Sequence, residues 1–317
     1  MGLSSKSMAA ASDRLVLPQI LWESSKLPIK SGQLFFPLLF LSLLSSSLLF
    51  FCYYSIAPIP LDLASKISIL VKETKHRPPD LLTHMENDLK DFASISSVLV
   101  LFFFSFSLFL TLATMYTFAM AYTGSSLTPQ DLLLRIARRW YQTMVTKLYV
   151  ALLTIGLGVL SSLGVGTVML LSGGSQVVFG VGVTLAFVSL FLYIYLLTRW
   201  SMSLVIAAVE ETWGIGALSW AVELYIGNKR RGMVLTLMLA VVKVAIYGGF
   251  AAVVMSSGPE PSGTPMSLTY VVGAANAVWD LYSMAVYTVF YYECRKSHGL
   301  DYAGLSAALV KINAVIY

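Results

Sequence analysis

Charge is scarce in this 317-residue chain: 12% of its residues are charged against 57% hydrophobic. A soluble domain carries about 25% charged residues. Half that proportion leaves too little polar surface to hold a chain of this size in water, which excludes a soluble fold as the expectation. Cysteine is almost absent. Cys52 and Cys294 are the 2 present, and two thiols do not make a disulfide framework. There are 3 histidines. His76 and His84 lie in the hydrophilic stretch 58–93 without a metal-ligand spacing, so that stretch reads as a solvated helical loop and no metal site is expected. No Asn-x-Ser/Thr site occurs. HExxH, GxSxG, P-loop and dinucleotide fingerprints are missing too, so neither an enzyme reaction nor a cofactor is expected. Glu210 and Glu211 are adjacent, hence about 100° apart on a helix, and do not form a carboxylate pair.

What the chain has is apolar length. A hydrocarbon core about 30 Å thick needs roughly 20 apolar residues per helical crossing. Residues 31–61 and 92–130 carry no charge, which predicts spans at 33–57 and 94–122. The first run starts too late and runs too long for a signal peptide, so it reads as a retained span. Residues 148–198 are again uncharged and too long for one crossing. Gly173-Gly174-Ser175-Gln176 divides them into 148–171 and 177–199. Further spans follow at 233–256 and 267–292. Backbone polar groups inside lipid must be satisfied internally, so these runs are helices. The expected fold is all-α: a polytopic bundle of about six transmembrane helices, with a cytosolic segment at 1–32, a membrane domain at 33–292 and a cytosolic tail at 293–317.

Basic residues orient the bundle. Lys6, Arg14, Lys26, Lys30, Arg135, Arg138, Arg139, Lys147, Arg199, Lys229, Arg230, Arg231, Arg295, Lys296 and Lys311 fall on one side of such a topology. Lys66, Lys72, Lys75, Arg77 and Lys90 fall on the other, all in one loop. The positive-inside rule places both termini in the cytosol of an endomembrane or plasma membrane. Cys52 and Cys294 then lie on opposite faces and cannot pair. Cys294 is juxtamembrane, which leaves S-palmitoylation and an inert thiol as its two readings.

Two segments read as interfacial helices. Residues 13–30 mix Leu, Ile and Trp with Asp, Glu and Lys, the pattern of an amphipathic helix lying on the membrane surface. It is either an anchor before the first span or a partner-binding arm. Residues 213–228 are apolar around most of a helix, with Gly216, Ser219, Glu223 and Gly227 as a thin polar or small stripe. Such a helix packs on the bundle or lies in the interface. Lys229, Arg230 and Arg231 follow it and are expected to meet lipid headgroups, anionic ones included, at about 1 kcal/mol each. Arg135, Arg138 and Arg139 beside Trp140 and Tyr141 have the pattern of an interfacial anchor.

The run Val209-Glu210-Glu211, then Gly214, Ala217-Leu218, Leu224 and Gly227 before a basic cluster resembles a motif of uncharacterised membrane proteins. It is similar to a plant six-helix family of unknown function. More distantly it resembles the membrane domain attached to some glycerophosphodiester phosphodiesterases and the bacterial YciC-like proteins. Ile20-Leu21-Trp22-Glu23-Ser24 and Tyr291-Tyr292-Glu293-Cys294-Arg295 also resemble the plant family. Where that family often carries an Arg-Ser pair, this chain has Trp220-Ala221. The resemblance implies an architecture and no activity, since the phosphodiesterase chemistry belongs to a separate soluble domain.

Lys243 and Asp280 are the ionisable groups, tyrosine apart, deep within the expected spans. A lone charge there costs about 2.5–3.5 kcal/mol on insertion scales. Counted from the span ends at about 1.5 Å per residue, their depths are about 15 and 18 Å. The two spans are consecutive and antiparallel, which predicts an ion pair, with Asn276 one turn away. The pair is either a structural lock or part of a proton or solute path. Gly158, Ser162 and Gly166 share a face at four-residue spacing, which predicts close helix packing within the chain or a dimer face. The functional expectation is a membrane-organising, trafficking or assembly factor; the alternative is a small-solute or proton-coupled transporter using Lys243 and Asp280.

Overall fold

The computed structural model describes residues 16–56, 79–124, 129–171, 176–210, 212–256 and 266–299. Glu211, the Gly173-Gly174 turn, His76 and the tail from 300 lie outside the described residues, as do the side chains of Cys52 and His84. Among the described residues the regular structure is helical: α1 Leu17–Lys30, a 3-10 turn Gly32–Leu34, α2 Phe35–Ile56, α3 Pro79–Thr123, α4 Pro129–Leu171, α5 Gln176–Val209, α6 Ile215–Tyr225, α7 Lys229–Ser256 and α8 Met266–Ser297.

The expected spans at 94–122, 148–171, 177–199, 233–256 and 267–292 lie within α3, α4, α5, α7 and α8, and residues 35–56 of the expected span 33–57 form α2. Among the described residues four stretches are long and apolar enough to cross a membrane, Ser94–Thr123, Leu132–Val168, Val177–Val209 and Lys229–Gly249, and a fifth is reached if the bent pair Leu17–Lys30 and Phe35–Leu48 counts as one span. Neither α2 alone nor α8 is among the four. α8 carries Asn276, Asp280 and a tyrosine-rich end, and it continues past the expected boundary at 292 to Ser297.

The chain divides into two compact units. One comprises 1–38, 111–245 and 280–317; the other comprises 39–110 and 246–279. In the second, Phe40, Leu44, Val98, Leu101 and Phe102 are exposed apolar side chains, and Phe102 stacks on Phe106 along α3.

The first unit contains the packed core. Leu112, Phe118, Met202, Ile206, Leu224, Phe290, Tyr291 and Tyr292 are essentially fully buried in it. α1 joins this core through Ile20, Ser24 and Leu27, spaced three and four apart on one face. Tyr282 of α8 donates to the Leu21 carbonyl at 3.2 Å. The opposite face of α1 leaves Trp22 and Ile29 exposed, and Glu23 bridges Lys26 and Lys30 at 3.1 and 2.8 Å. Those two ammonium groups hold the Glu23 carboxyl below its usual range.

Candidate functional site

The link between α5 and α6 is built around backbone groups that a helix end leaves without partners. α5 ends at Val209, and the Glu210 amide still bonds back to the Ile206 carbonyl at 2.7 Å. The Glu210 carbonyl accepts a hydrogen bond from the Arg139 guanidinium of α4. Gly214 then turns the chain with φ +62°, a conformation in which a side chain is strained. Its amide donates to Thr146 Oγ1 of α4 at 2.8 Å. α6 begins at the next residue and buries Ala217, Ala221, Leu224 and Tyr225.

The Glu210 side chain turns toward α8. Arg295 Nη1 donates to Glu210 Oε1 at 2.7 Å, and the Tyr291 hydroxyl donates to the same oxygen. Arg295 also donates to the Tyr291 oxygen at 3.0 Å. Tyr291 and Arg295 are four apart, one helical turn, so both reach one carboxylate. The Glu210 and Arg295 side chains are each 15% exposed. Elsewhere between the same helices, Thr198 of α5 and Thr236 of α7 share a hydrogen bond at 2.7 Å, to which Tyr287 of α8 adds another at 3.3 Å. Asn228 Nδ2 donates to Ser297 Oγ at 2.9 Å. Gly232 lets α7 and α8 approach: a Cβ there would collide with the Tyr225 ring and lie 2.9 Å from Phe290 Cζ.

Glu210 from one segment singled out in the sequence, and Tyr291 and Arg295 from another, therefore form one cluster. The expected interfacial anchor on α4 is corrected in part. Arg135 is buried and donates to the Tyr116 hydroxyl, and Arg139 caps α5. They are four apart and share the packed face, whereas Arg138 falls on the exposed one. Gly227 is not on the expected helical stripe. It lies after α6 with φ +95°. Ala217 is buried, Leu218 half-buried and Glu223 exposed. Ala221 is fully buried, and the Trp220 indole N–H has no partner among the described residues. Cys294 is 1% exposed. Burial pushes its thiol up to about 12, so it fits the inert reading rather than an accessible acylation site.

Lys243 of α7 and Asp280 of α8 meet at 2.7 Å, with side chains 45% and 37% exposed. Asn276 is one turn before Asp280 on α8. The close packing expected at Gly158 and Gly166 is corrected. A Cβ on either would meet nothing within 4 Å, whereas Gly164 faces Leu185 at 3.5 Å. Gly158 and Ser162 instead line a groove of about 330 Å³ between α4 and α5, with Ser189 and Tyr193 opposite. No group of three or more His, Cys, Asp or Glu residues suited to a metal occurs among the described residues.

The family model described as a domain of unknown function (DUF8558) matches residues 11–309, and the chain belongs to that family. Neither a curated protein nor a solved structure matches it.

Proposed function

We propose that this DUF8558 member is a membrane-organising or assembly factor: a six-span bundle with cytosolic termini whose internal charges hold helices together, rather than an enzyme. The observation that carries the reading is how the charged groups are engaged. Lys243 is on Asp280, Glu210 is on Arg295 and Tyr291, and Arg139 is on a helix-end carbonyl. These contacts join α4, α5, α7 and α8 as structural ties, and a tie needs no further polar lining, whereas a conducting path does. The excess of Lys and Arg on one side of the expected topology supports the orientation.

One observation favours transport as a second reading. The Lys243 and Asp280 side chains are each more than a third exposed. The experiment that separates the two uses the full chain in liposomes under an imposed pH gradient, read by a trapped pH dye, together with cross-linking in native membranes. The organising reading expects decay no faster than in empty liposomes. It also expects a reproducible set of cross-linked partners that persists in the Lys243→Met/Asp280→Leu double variant. A gradient that collapses through the natural chain and not through the double variant establishes transport instead.

A further inference from the structure

We infer that the surface around α6 is a binding site for anionic phospholipid headgroups. The inference rests on the proposed bundle of membrane-crossing helices and adds a ligand to it.

The basic side chains divide into two sets. Lys26, Lys30, Lys243 and Arg295 are in ion pairs with Glu23, Asp280 or Glu210. Lys229, Arg230 and Arg231 are in none of the ion pairs among the described residues, and neither is Arg138. Lys229, Arg230 and Arg138 are exposed and Arg231 is half-buried. The acid on α6 itself is Glu223, also exposed, so positive charge predominates at this surface.

These cations flank apolar side chains with no cover. At the start of α6, Trp213 lies 6.2 Å from Tyr141 of α4, one turn beyond Arg138. Trp213, Tyr141 and Ile215 are 47%, 66% and 66% exposed. At the other end Ile226 is exposed, and Gly227 at φ +95° turns the chain directly into the basic run. α7 is apolar enough to cross a membrane from Lys229 onward, so the three cations sit where that helix enters the bilayer. Exposed Trp and Ile beside cations at a membrane entry match the headgroup layer, where aromatic rings and basic side chains are both favoured. A soluble acidic peptide would satisfy the cations and leave Trp213 and Ile215 in water. Each basic residue near an anionic surface is worth about a five-fold gain in binding.

The test is the thermal unfolding midpoint of the full chain in detergent micelles titrated with phosphatidylserine, or with phosphatidylcholine of the same acyl chains. The expected result is a rise with phosphatidylserine alone, weakened by salt. The variant Lys229→Gln/Arg230→Gln/Arg231→Gln keeps its midpoint in phosphatidylcholine and needs about a hundred-fold more phosphatidylserine for the same rise. An equal rise in the triple variant, or an equal rise with phosphatidylcholine, overturns the proposal. So does an equal rise with inorganic phosphate or with a polyglutamate peptide, which would assign the site to a free anion or an acidic protein. Should the triple variant fail to fold, the lipid and salt dependence of the natural chain decides alone. Release of the chain from membranes by alkaline carbonate without detergent would instead overturn the membrane-crossing bundle itself.

Discussion

The two ends of the α4–α5 hairpin are made of similar apolar residues and are treated differently by the fold. Near Glu210, Trp200, Met202, Val205, Ile206 and Val209 are buried, and Thr143, Thr146 and Thr198 place hydroxyl groups among them. Toward the far end, Leu152, Ile155 and Leu160 of α4 and Val181, Phe187 and Phe191 of α5 are exposed. In a bilayer an exposed leucine costs nothing, because lipid tails are as apolar as the side chain. A helix end or an unpaired charge does cost, because hydrocarbon offers no partner. Buried side chains therefore concentrate toward the end where α5 stops, Gly214 turns and α6 begins, and exposed apolar ones toward the other.

The contrast breaks most readily at Glu210. Arg295→Met leaves its carboxylate buried and unpaired, at about 3–5 kcal/mol. Chemical unfolding in micelles is expected to show that loss, and Glu210→Gln added to it is expected to recover most of the stability. Next comes Gly232→Ala, which drives a methyl group into Tyr225 and Phe290 and is expected to cost about 1–3 kcal/mol. Gly158→Ala and Gly166→Ala at the open end should stay within about 0.5 kcal/mol of the natural chain in the same assay.

Cys294 sharpens the same comparison without changing packing. In a Cys52→Ser background, maleimide at neutral pH is expected to label the folded chain far more slowly than the unfolded one. The thiol is buried and its pKa is pushed up to about 12. Rapid labelling would mean that this end opens readily. Glu23 carries a modest effect. Its folded pKa is lowered from 4.5, so its stabilisation is complete above that value and is lost as pH falls through the lowered one. Because Glu23 and its two lysines lie partly in solvent, Glu23→Gln should remove no more than about 1 kcal/mol at neutral pH. The variant's stability should converge with that of the natural chain on acidification.

The helices were legible because apolar run length is a one-dimensional signal, and each expected span falls largely on a helix. The Lys243–Asp280 contact was legible for a related reason. Two lone charges at matching depth on consecutive antiparallel helices leave each other as the nearest compensation. The Glu210–Arg295 tie was not legible as a contact, since 85 residues separate its partners and no periodicity links them. Its two segments stood out only as motifs. Arg135 and Arg139 misled because their neighbours Trp140 and Tyr141 suggest an interface, whereas the i,i+4 spacing that turns both inward is ambiguous without knowing which face is packed. The small residues Gly158, Ser162 and Gly166 permit close approach but do not compel it, and among the described residues nothing lies within 4 Å of a Cβ placed on Gly158 or Gly166.

The central claim is that intramembrane charge here ties helices together. A stability cycle on Lys243 and Asp280 in lipid nanodiscs tests it most directly. Asp280→Asn should destabilise the chain by about the 2.5–3.5 kcal/mol of an uncompensated charge, and adding Lys243→Met should restore it. Two single variants as stable as the natural chain would contradict the claim.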